Sequence, residues 1–263
     1  MTAITPERYL GLDTTSLTAH TIGAGSGAYE LYATEGAWEA LHDLQADAVK
    51  HGFWVQPCSA FRSFARQGAI VEGKFTGARP ILDRNEQPLQ TLPSDPIARL
   101  RAILLFSALP GCSRHHFGSD FDIYDPHLLP AGQKLQLTAK EYVQGSYFYE
   151  LGLYLQESLS RFGFARPYMS APATTGTNTA TAANNNNNTT TPQSAAGAEQ
   201  EQWGIGREPW HISHLASARD CLRAYDAERA LTEIERSKWS FAPFVRQVWS
   251  ADLVQALLRP DCA

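Results

Sequence analysis

Two short segments, far apart in the chain, contain most of the side chains that could bind a metal ion. Residues 113–122 read Ser-Arg-His-His-Phe-Gly-Ser-Asp-Phe-Asp, and residues 208–211 read Glu-Pro-Trp-His. Together they offer imidazoles, carboxylates and a further glutamate. That is the inventory of a hydrolytic zinc site, which needs three protein ligands, one open position for water and a general base. The chain must therefore fold so that these two segments meet.

The spacing within the two segments allows their side chains to converge. Gly118 lets the chain turn between His115 and Asp122, which would stand about 23 Å apart on an extended chain. Asp122 lies on a predicted strand and points away from its apolar face. A zinc ion held by His115, Asp122 and His211 would lower the pKa of a bound water toward about 7. Glu208, three residues before His211, would then accept the proton.

Three other interpretations use the same residues. A non-haem iron site needs two histidines and a carboxylate, but its usual form contains His-x-Asp, and no such triplet occurs. A Ser-His-Asp triad that uses Ser113 lacks the Gly-x-Ser-x-Gly elbow. His115 and His116 would have a purely structural role if a packed loop satisfied their hydrogen bonds. Spacing alone leaves these alternatives open.

Hydrophobic periodicity predicts a mixture of helices and strands. A helix is expected from its cap at Thr34 to about Lys50, and Gly52 ends it. Arg62 falls between a predicted strand and a predicted helix, where a side chain can project into a cleft. Before Thr34, the glycine-rich run 23–27 is interpreted as a flexible turn. The same criteria predict strands at residues 53–56, 121–125 and 164–168, helices at 64–74, 96–109 and 147–162, and two or three amphipathic helices within 215–263.

Composition and charge exclude several classes of protein. The net charge of −5 argues against a nucleic-acid-binding surface, which is normally basic. No apolar run approaches the roughly 18 residues that span a bilayer. Residues 1–16 lack the basic and apolar regions of a secretory signal, so a cytoplasmic location is the default, and a periplasmic or cell-wall location would require another export route. Four scattered cysteines without a Cys-x-x-Cys pair argue against a disulfide framework or a Cys-zinc site.

The two segments together resemble the signature of the VanY-type D-alanyl-D-alanine carboxypeptidases, in the form Ser113-x-His115-x-x-Gly118-x-x-x-Asp122 and Glu208-x-Trp210-His211. These enzymes are zinc peptidases of the group that includes lysostaphin-like enzymes and the hedgehog N-terminal domain. Residues 59–63 together with Gln67 resemble the family's arginine-bearing segment. The resemblance covers about residues 38–214, excluding the asparagine-rich segment 171–202. It implies an α+β fold with a small antiparallel sheet flanked by helices, which agrees with the mixed pattern above.

The resemblance also implies a role for individual residues. The implied zinc ligands are His115, Asp122 and His211. Glu208 would be the catalytic base, and Arg62 would stabilise the oxyanion of the tetrahedral intermediate. The residues implied to contact the substrate are Ser113, Gln67 and Trp210; Ser113 and Gln67 would position either the substrate or the side chains that hold the ion.

A catalytic domain, an insertion within it and a C-terminal extension are expected. Residues 171–202 are rich in Ala, Thr, Asn and Gln, include five consecutive asparagines, and cannot offset the entropy of becoming ordered. They are interpreted as a disordered insertion within a catalytic domain of residues 1–170 and 203–214. Residues 215–263 form a helical C-terminal extension that packs against the core or against a second subunit.

The implied activity is the zinc-dependent hydrolysis of D-Ala-D-Ala or of another peptidoglycan peptide, with Zn²⁺ as cofactor and such a peptide as partner. An L,D-endopeptidase of peptidoglycan and a zinc-containing binding module without catalysis are the alternatives. Asp120 stands where the family commonly has alanine. It is expected to accept a hydrogen bond from the nitrogen of a ligand imidazole that does not face the metal. The alternative is that Asp120 and His116 are themselves ligands, in a shifted register. The sequence predicts no oligomeric state.

Overall fold

The computed structural model describes residues 4–169 and 205–260. Its helices are α1 (Pro6–Tyr9), α2 (Glu35–Lys50), α3 (Phe64–Phe75), α4 (Pro96–Leu104), α5 (Tyr149–Ser158), α6 (Leu215–Ala224), α7 (Ala227–Glu235), α8 (Ala242–Val248) and α9 (Ala251–Leu258). Its strands are β1 (Thr18–Ile22), β2 (Tyr29–Ala33), β3 (Gln56–Ser59), β4 (Asp120–Tyr124), β5 (Phe164–Ala165) and β6 (His211–His214). The predicted insertion at residues 171–202 lies outside the described residues, and the division into domains stays a prediction.

The sheet that carries the predicted site residues has four antiparallel strands in the order β3-β4-β6-β5. β1 and β2 form a separate antiparallel hairpin. The central strands β4 and β6 are far apart in sequence, and their pairing brings the two motif-bearing segments together. The predicted fold class, a small antiparallel sheet flanked by helices, is confirmed.

The buried apolar side chains form two clusters. The sheet cluster packs α2 and α5 against the four-stranded sheet, through residues such as Trp38, Phe121 and Ile212. The helix cluster joins α1, α3 and α4 to the C-terminal helices, through residues such as Val71 and Leu257. Residues 215–260 therefore pack against the rest of this chain, which was one of the two uses expected for them.

The structure confirms the residues predicted to cap two helices and to end one of them. Thr34 Oγ1 accepts a hydrogen bond from the backbone N–H of Ala37, and α2 ends at Lys50 as predicted. Gly52 follows with φ 86°, in the left-handed region that glycine tolerates best. Asp95 caps α4 through the backbone N–H of Ala98.

Several elements differ from the prediction. The strand expected at residues 164–168 is only β5 (Phe164–Ala165), and the C-terminal region has four helices, α6–α9, where two or three were expected. The strand expected at residues 53–56 instead occupies Gln56–Ser59, which is β3. The N–H of Trp54 donates to the carboxylate of Asp125 at 2.7 Å, so it does not pair with a neighbouring strand. The helix that starts at Pro96 ends at Leu104 and not near residue 109. The β1–β2 hairpin was missed because its residues are mostly half-buried or exposed and give little apolar alternation.

None of the described helices is both long and apolar enough to cross a membrane.

Candidate metal centre

Three side chains from separate parts of the chain converge beside β4 and β6. They are His115, Asp122 and His211, and one potential ligand atom from each lies within 4.8 Å of the other two. His115 Nε2 is 3.3 Å from Asp122 Oδ2, and His211 Nδ1 is 3.4 Å from Asp122 Oδ1. All three residues are buried. Two imidazoles and a carboxylate at these distances can share one ion.

The other nitrogen of each imidazole is already engaged. His115 Nδ1 is 2.7 Å from the carbonyl oxygen of Ala60, and His211 Nε2 is 2.9 Å from Oδ1 of Asp120. Carbonyl and carboxylate oxygens only accept, so in a neutral ring these nitrogens carry the proton. The nitrogens that face Asp122 then have free lone pairs. Histidine ligands of metals have this arrangement, and two imidazoles with one carboxylate suit zinc, so the residues present fit the ion.

The ionisable side chains at the site shift one another's pKa values. Burial alone would lower the pKa of His211, but the carboxylates of Asp120, Asp122 and Glu208 hold this pKa well above its ordinary value. Burial would raise the pKa of Asp122, but His115 and His211 keep it well below the usual range. The carboxylate of Asp122, which faces both histidines, is therefore ionised.

The local backbone explains how the ligands meet. His115 lies in a single turn of 3₁₀ helix, Arg114–Phe117, which ends at Gly118. Gly118 has φ 66°, and a Cβ atom at this position would lie 2.5 Å from a leucine side chain. The predicted turn between His115 and Asp122 is confirmed. After this turn, β4 pairs with β6 in the register that places Asp122 opposite His211.

Glu208 lies beside the three converging side chains. Its Oε2 atom is 3.4 Å from His211 Nδ1. The same carboxylate lines a cleft of about 230 Å³ whose wall also includes His115, Asp122 and His211. The backbone N–H of Glu208 donates to the carbonyl oxygen of Tyr168 at 2.9 Å, which holds the segment in place. A carboxylate that faces both the cleft and the converging ligands has the position that a general base requires.

Arg62 lies between β3 and α3, as the sequence predicted. Its Nη2 atom is 3.7 Å from Asp122 Oδ2, and its Nη1 atom donates to Gln67 Oε1 at 2.9 Å. The amide nitrogen of Gln67 in turn donates to the carbonyl oxygen of Ala108. Arg62 lines the cleft, whereas Gln67 does not. The structure therefore does not bring Gln67, expected to contact substrate, to the cleft wall; its amide orients Arg62.

Asp120 lies behind the metal-facing side of His211. Oδ1 of Asp120 accepts from Arg114 Nε at 3.0 Å as well as from His211, and its other oxygen accepts from the hydroxyl of Ser119. All four side chains are buried. Asp120 therefore orients a candidate ligand, the first of the two roles that the sequence left open for it.

His116 faces away from the converging ligands. Its Nε2 atom accepts from the backbone N–H of Gly111 at 2.9 Å, so Nδ1 carries the proton and donates to the carbonyl oxygen of Arg62. Burial lowers the pKa of His116 to about 3, so the ring is neutral. A shifted register with Asp120 and His116 as ligands is therefore wrong, because the two side chains serve different partners.

Ser113 and Trp210 line the cleft, as expected for residues that contact substrate. Four further lining residues with polar side chains were not singled out from the sequence: Lys74, Glu86, Ser107 and Tyr168. Burial lowers the pKa of Lys74 to about 8, and the carboxylate of Glu208 opposes this effect. Lys74 lies seven residues after Gln67 on α3, which is two helical turns on the same face, and this spacing was the one available signal.

The chain matches a known family of peptidases. The family model described as VanY, D-alanyl-D-alanine carboxypeptidase, matches residues 30–181, more than half of the chain. The chain therefore belongs to the VanY family, and the resemblance drawn from its motifs is confirmed. The matched range contains His115 and Asp122 but ends before Glu208 and His211, which the pairing of β6 with β4 brings to the site.

Two relatives are uncharacterized proteins of Haemophilus influenzae (strain ATCC 51907 / DSM 11121 / KW20 / Rd). The first is 37% identical over 120 residues, which cover 46% of this chain and 70% of the relative. The second is 41% identical over 73 residues, which cover 28% of this chain and 50% of the relative.

Three solved structures are similar at low TM-score. VanYB in complex with D-alanine-D-alanine is 17% identical, with a TM-score of 0.43 over 83% of this chain and 91% of that chain. The LdcB LD-carboxypeptidase is 18% identical, with a TM-score of 0.41 over 71% of this chain and 62% of that chain. A mutant of the vancomycin resistance D,D-pentapeptidase VanY in complex with Zn(II) is 16% identical, with a TM-score of 0.42 over 87% of this chain and 90% of that chain. The family assignment rests on the family model and not on these structures.

Proposed function

We propose that this protein is a zinc-dependent carboxypeptidase that hydrolyses the terminal peptide bond of D-alanyl-D-alanine or of a similar peptidoglycan peptide. One observation carries the proposal: His115, Asp122 and His211 converge within 4.8 Å, with the carboxylate of Glu208 beside them in the wall of one cleft. Membership of the VanY family supplies the substrate class.

His115 Nε2, Asp122 and His211 Nδ1 would hold the ion, because their other polar atoms either already have partners or face the same point. A zinc ion with three protein ligands and an open position polarises a carbonyl oxygen and lowers the pKa of a bound water toward about 7. The remaining catalytic work falls to the side chains of the cleft.

Glu208 and Arg62 have complementary roles in the proposed reaction. The Glu208 carboxylate takes a proton from the attacking water and delivers it to the amine that leaves, because it lines the cleft, lies 3.4 Å from His211 Nδ1 and is not needed to hold the ion. The Arg62 guanidinium balances the negative charge that develops on the carbonyl oxygen. Its hydrogen bond to Gln67 fixes it before the substrate arrives, so little reorganisation is needed during the reaction.

A Glu208→Gln variant tests the proposed base. The amide keeps the shape of the side chain but cannot accept the proton, so hydrolysis should fall about 10²–10⁴-fold while one zinc ion per chain is retained. Products from a defined D-Ala-D-Ala muropeptide would be followed by mass spectrometry, and zinc content by elemental analysis. Glu39→Gln, an exposed glutamate on α2, is the matched control and should leave both unchanged.

Two results would contradict the proposal. Undiminished hydrolysis by Glu208→Gln would remove Glu208 from the reaction. One bound zinc ion per chain with no cleavage of any muropeptide by the unaltered protein would favour the binding module without catalysis. The masses of the products also distinguish loss of a terminal residue from an internal cut by an L,D-endopeptidase.

A further inference from the structure

Lys74 is a cation in the wall of the cleft whose role the proposed mechanism does not explain. It lies on α3, two helical turns after Gln67, so its Cα is about 10 Å further along the helix from the residue that orients Arg62. Gln67 and Lys74 contact two adjacent residues, the carbonyl oxygen of Ala108 and the hydroxyl of Ser107. One wall of the cleft therefore carries Arg62 and, further along α3, Lys74.

The two cations differ in how their charge is balanced. Arg62 is 3.7 Å from the carboxylate of Asp122 and also donates to Gln67 and Ser59. Lys74 donates to the neutral hydroxyl of Ser107 at 2.8 Å. Within residues 4–169 and 205–260, no carboxylate lies within 4.0 Å of the Lys74 ammonium group.

Burial makes this imbalance costly. An ammonium group that leaves water without an anion in contact loses hydration that one neutral hydrogen bond does not replace. Burial accordingly lowers the pKa of Lys74 to about 8, although the more distant carboxylate of Glu208 opposes this effect. The group has three N–H donors, and Ser107 accepts one of them. A ligand carboxylate that accepts the other two would form a charge-assisted pair in a partly buried place.

A peptide provides a backbone carboxylate only at its C-terminus. We infer that Lys74, held by Ser107, binds the free C-terminal carboxylate of the peptide substrate and so directs the enzyme to the last peptide bond. The inference rests on the proposed function and deepens it, because it assigns the carboxypeptidase preference to one side chain. A side-chain carboxylate of the peptide has the same chemistry, and the experiment separates the two sources.

The test compares a peptide acid with its C-terminal amide. The probes are Nα,Nε-diacetyl-Lys-D-Ala-D-Ala and the same peptide amidated at its C-terminus, so neither has a side-chain carboxylate. Binding to the zinc-loaded full chain would be measured by calorimetry in the Glu208→Gln background, and KM and kcat would be measured with Glu208 intact. Lys74→Met should weaken binding of the acid and raise its KM about 10–100-fold, with kcat changed by less than about threefold. The amide, which binds weakly to the unaltered site, should not be affected.

Two further variants control for a structural effect. Lys74→Arg restores a cation and should recover most of the affinity for the acid. Lys50→Met removes an exposed lysine at the end of α2 and should change nothing. Lys74→Met is expected to fold, because it removes a charge whose burial is unfavourable, and a thermal melt of each variant checks this.

The outcomes separate this inference from the proposed function. Hydrolysis of acid and amide with equal KM, or equal losses for both in Lys74→Met, would overturn the role of Lys74 while the peptidase activity stands. Binding of the acid that depends on Lys74 without hydrolysis would support the carboxylate subsite and overturn the proposed activity. The absence of binding of either peptide to any form of the chain would overturn both.

Discussion

Asp120 accepts hydrogen bonds from His211, Arg114 and Ser119 in a place closed to solvent. The carboxylate accepts from the outer nitrogen of His211, so in the neutral ring the proton lies there and the inner nitrogen has a lone pair for the ion. Arg114 compensates the charge of Asp120, so the carboxylate stays ionised although burial alone would raise its pKa; the pKa instead lies well below the usual range.

An Asp120→Asn substitution should weaken zinc binding about 10–100-fold. The amide can present an NH₂ group to His211 Nε2, which removes the preference for the required tautomer, and it leaves Arg114 without its buried counter-ion. Zinc affinity would be measured by competition with a chromogenic chelator. Asp43→Asn, at an exposed position on α2, is the matched control. An unchanged zinc affinity in Asp120→Asn would show that Asp120 does not act on the site through His211.

Among the individual residues of the site, the sequence predicts the side chains that converge but not those that form the cleft around them. His115, Asp122, Glu208 and His211 belong to spaced motifs whose residue types are unusual enough to stand out. Lys74 gave no comparable signal, because a lysine on an amphipathic helix is normally solvated. Its meaning depends on which residues of a distant segment pack against α3, and only the tertiary structure determines that.

Helix α3 carries Gln67 and Lys74 two turns apart, and a close contact with the C-terminal region sets the position of the helix. Gly68, next to Gln67, lies so near Trp239 that a Cβ atom would stand 1.8 Å from the indole ring. Trp239 is itself held between Phe64 and Phe241, with ring centroids 5.4 and 5.3 Å away. The indole therefore has little freedom to move aside.

A Gly68→Ala substitution should destabilise the protein by about 1–3 kcal/mol, because the overpacking outweighs the gain in helix propensity of about 1 kcal/mol. Gly36→Ala in α2 is the matched control: its Cβ would meet its nearest atoms at 3.8 Å, an ordinary contact, so it should be neutral or stabilising. Denaturant unfolding of both variants would give the two free energies of unfolding. Equal effects of the two substitutions would contradict the close packing of α3 on Trp239.

The C-terminal helices illustrate what periodicity can and cannot predict. The spacing of apolar residues in 215–263 predicts helices with one buried face, which α6–α9 confirm, but it predicts two or three helices where the structure has four. It did not indicate that the last turn of α9 supplies acceptors to the site. The carbonyl oxygen of Leu258 accepts from Arg114 at 2.6 Å, and that of Leu257 accepts from the hydroxyl of Tyr168. Such contacts use the carbonyl oxygens that are left without an intrahelical partner at the end of every α-helix, so the residue types do not reveal them.

Considered as a whole, the molecule places the site between its two hydrophobic clusters. Phe117, which lies in the same 3₁₀ turn as His115, belongs to the helix cluster. Phe121 and Ile212, which are adjacent to Asp122 on β4 and to His211 on β6, belong to the sheet cluster. Tyr168, whose ring meets that of His211 edge-on at 4.9 Å, again belongs to the helix cluster. An ion held by His115 together with the two strand residues would therefore connect the clusters.

Zinc should for this reason stabilise the whole fold and not one loop. A ligand that binds only the folded chain at 100 times its Kd adds about 2.7 kcal/mol to the free energy of unfolding, which for a chain of this size raises Tm by about 5–10 °C. Calorimetry with zinc and with excess chelator would measure the shift and whether unfolding stays a single transition. His211→Ala should respond to neither addition, since it removes one ligand. A zinc-induced shift of the same size in His211→Ala would place the stabilising ion elsewhere, and a second transition that appears only with zinc would show that the two clusters unfold separately.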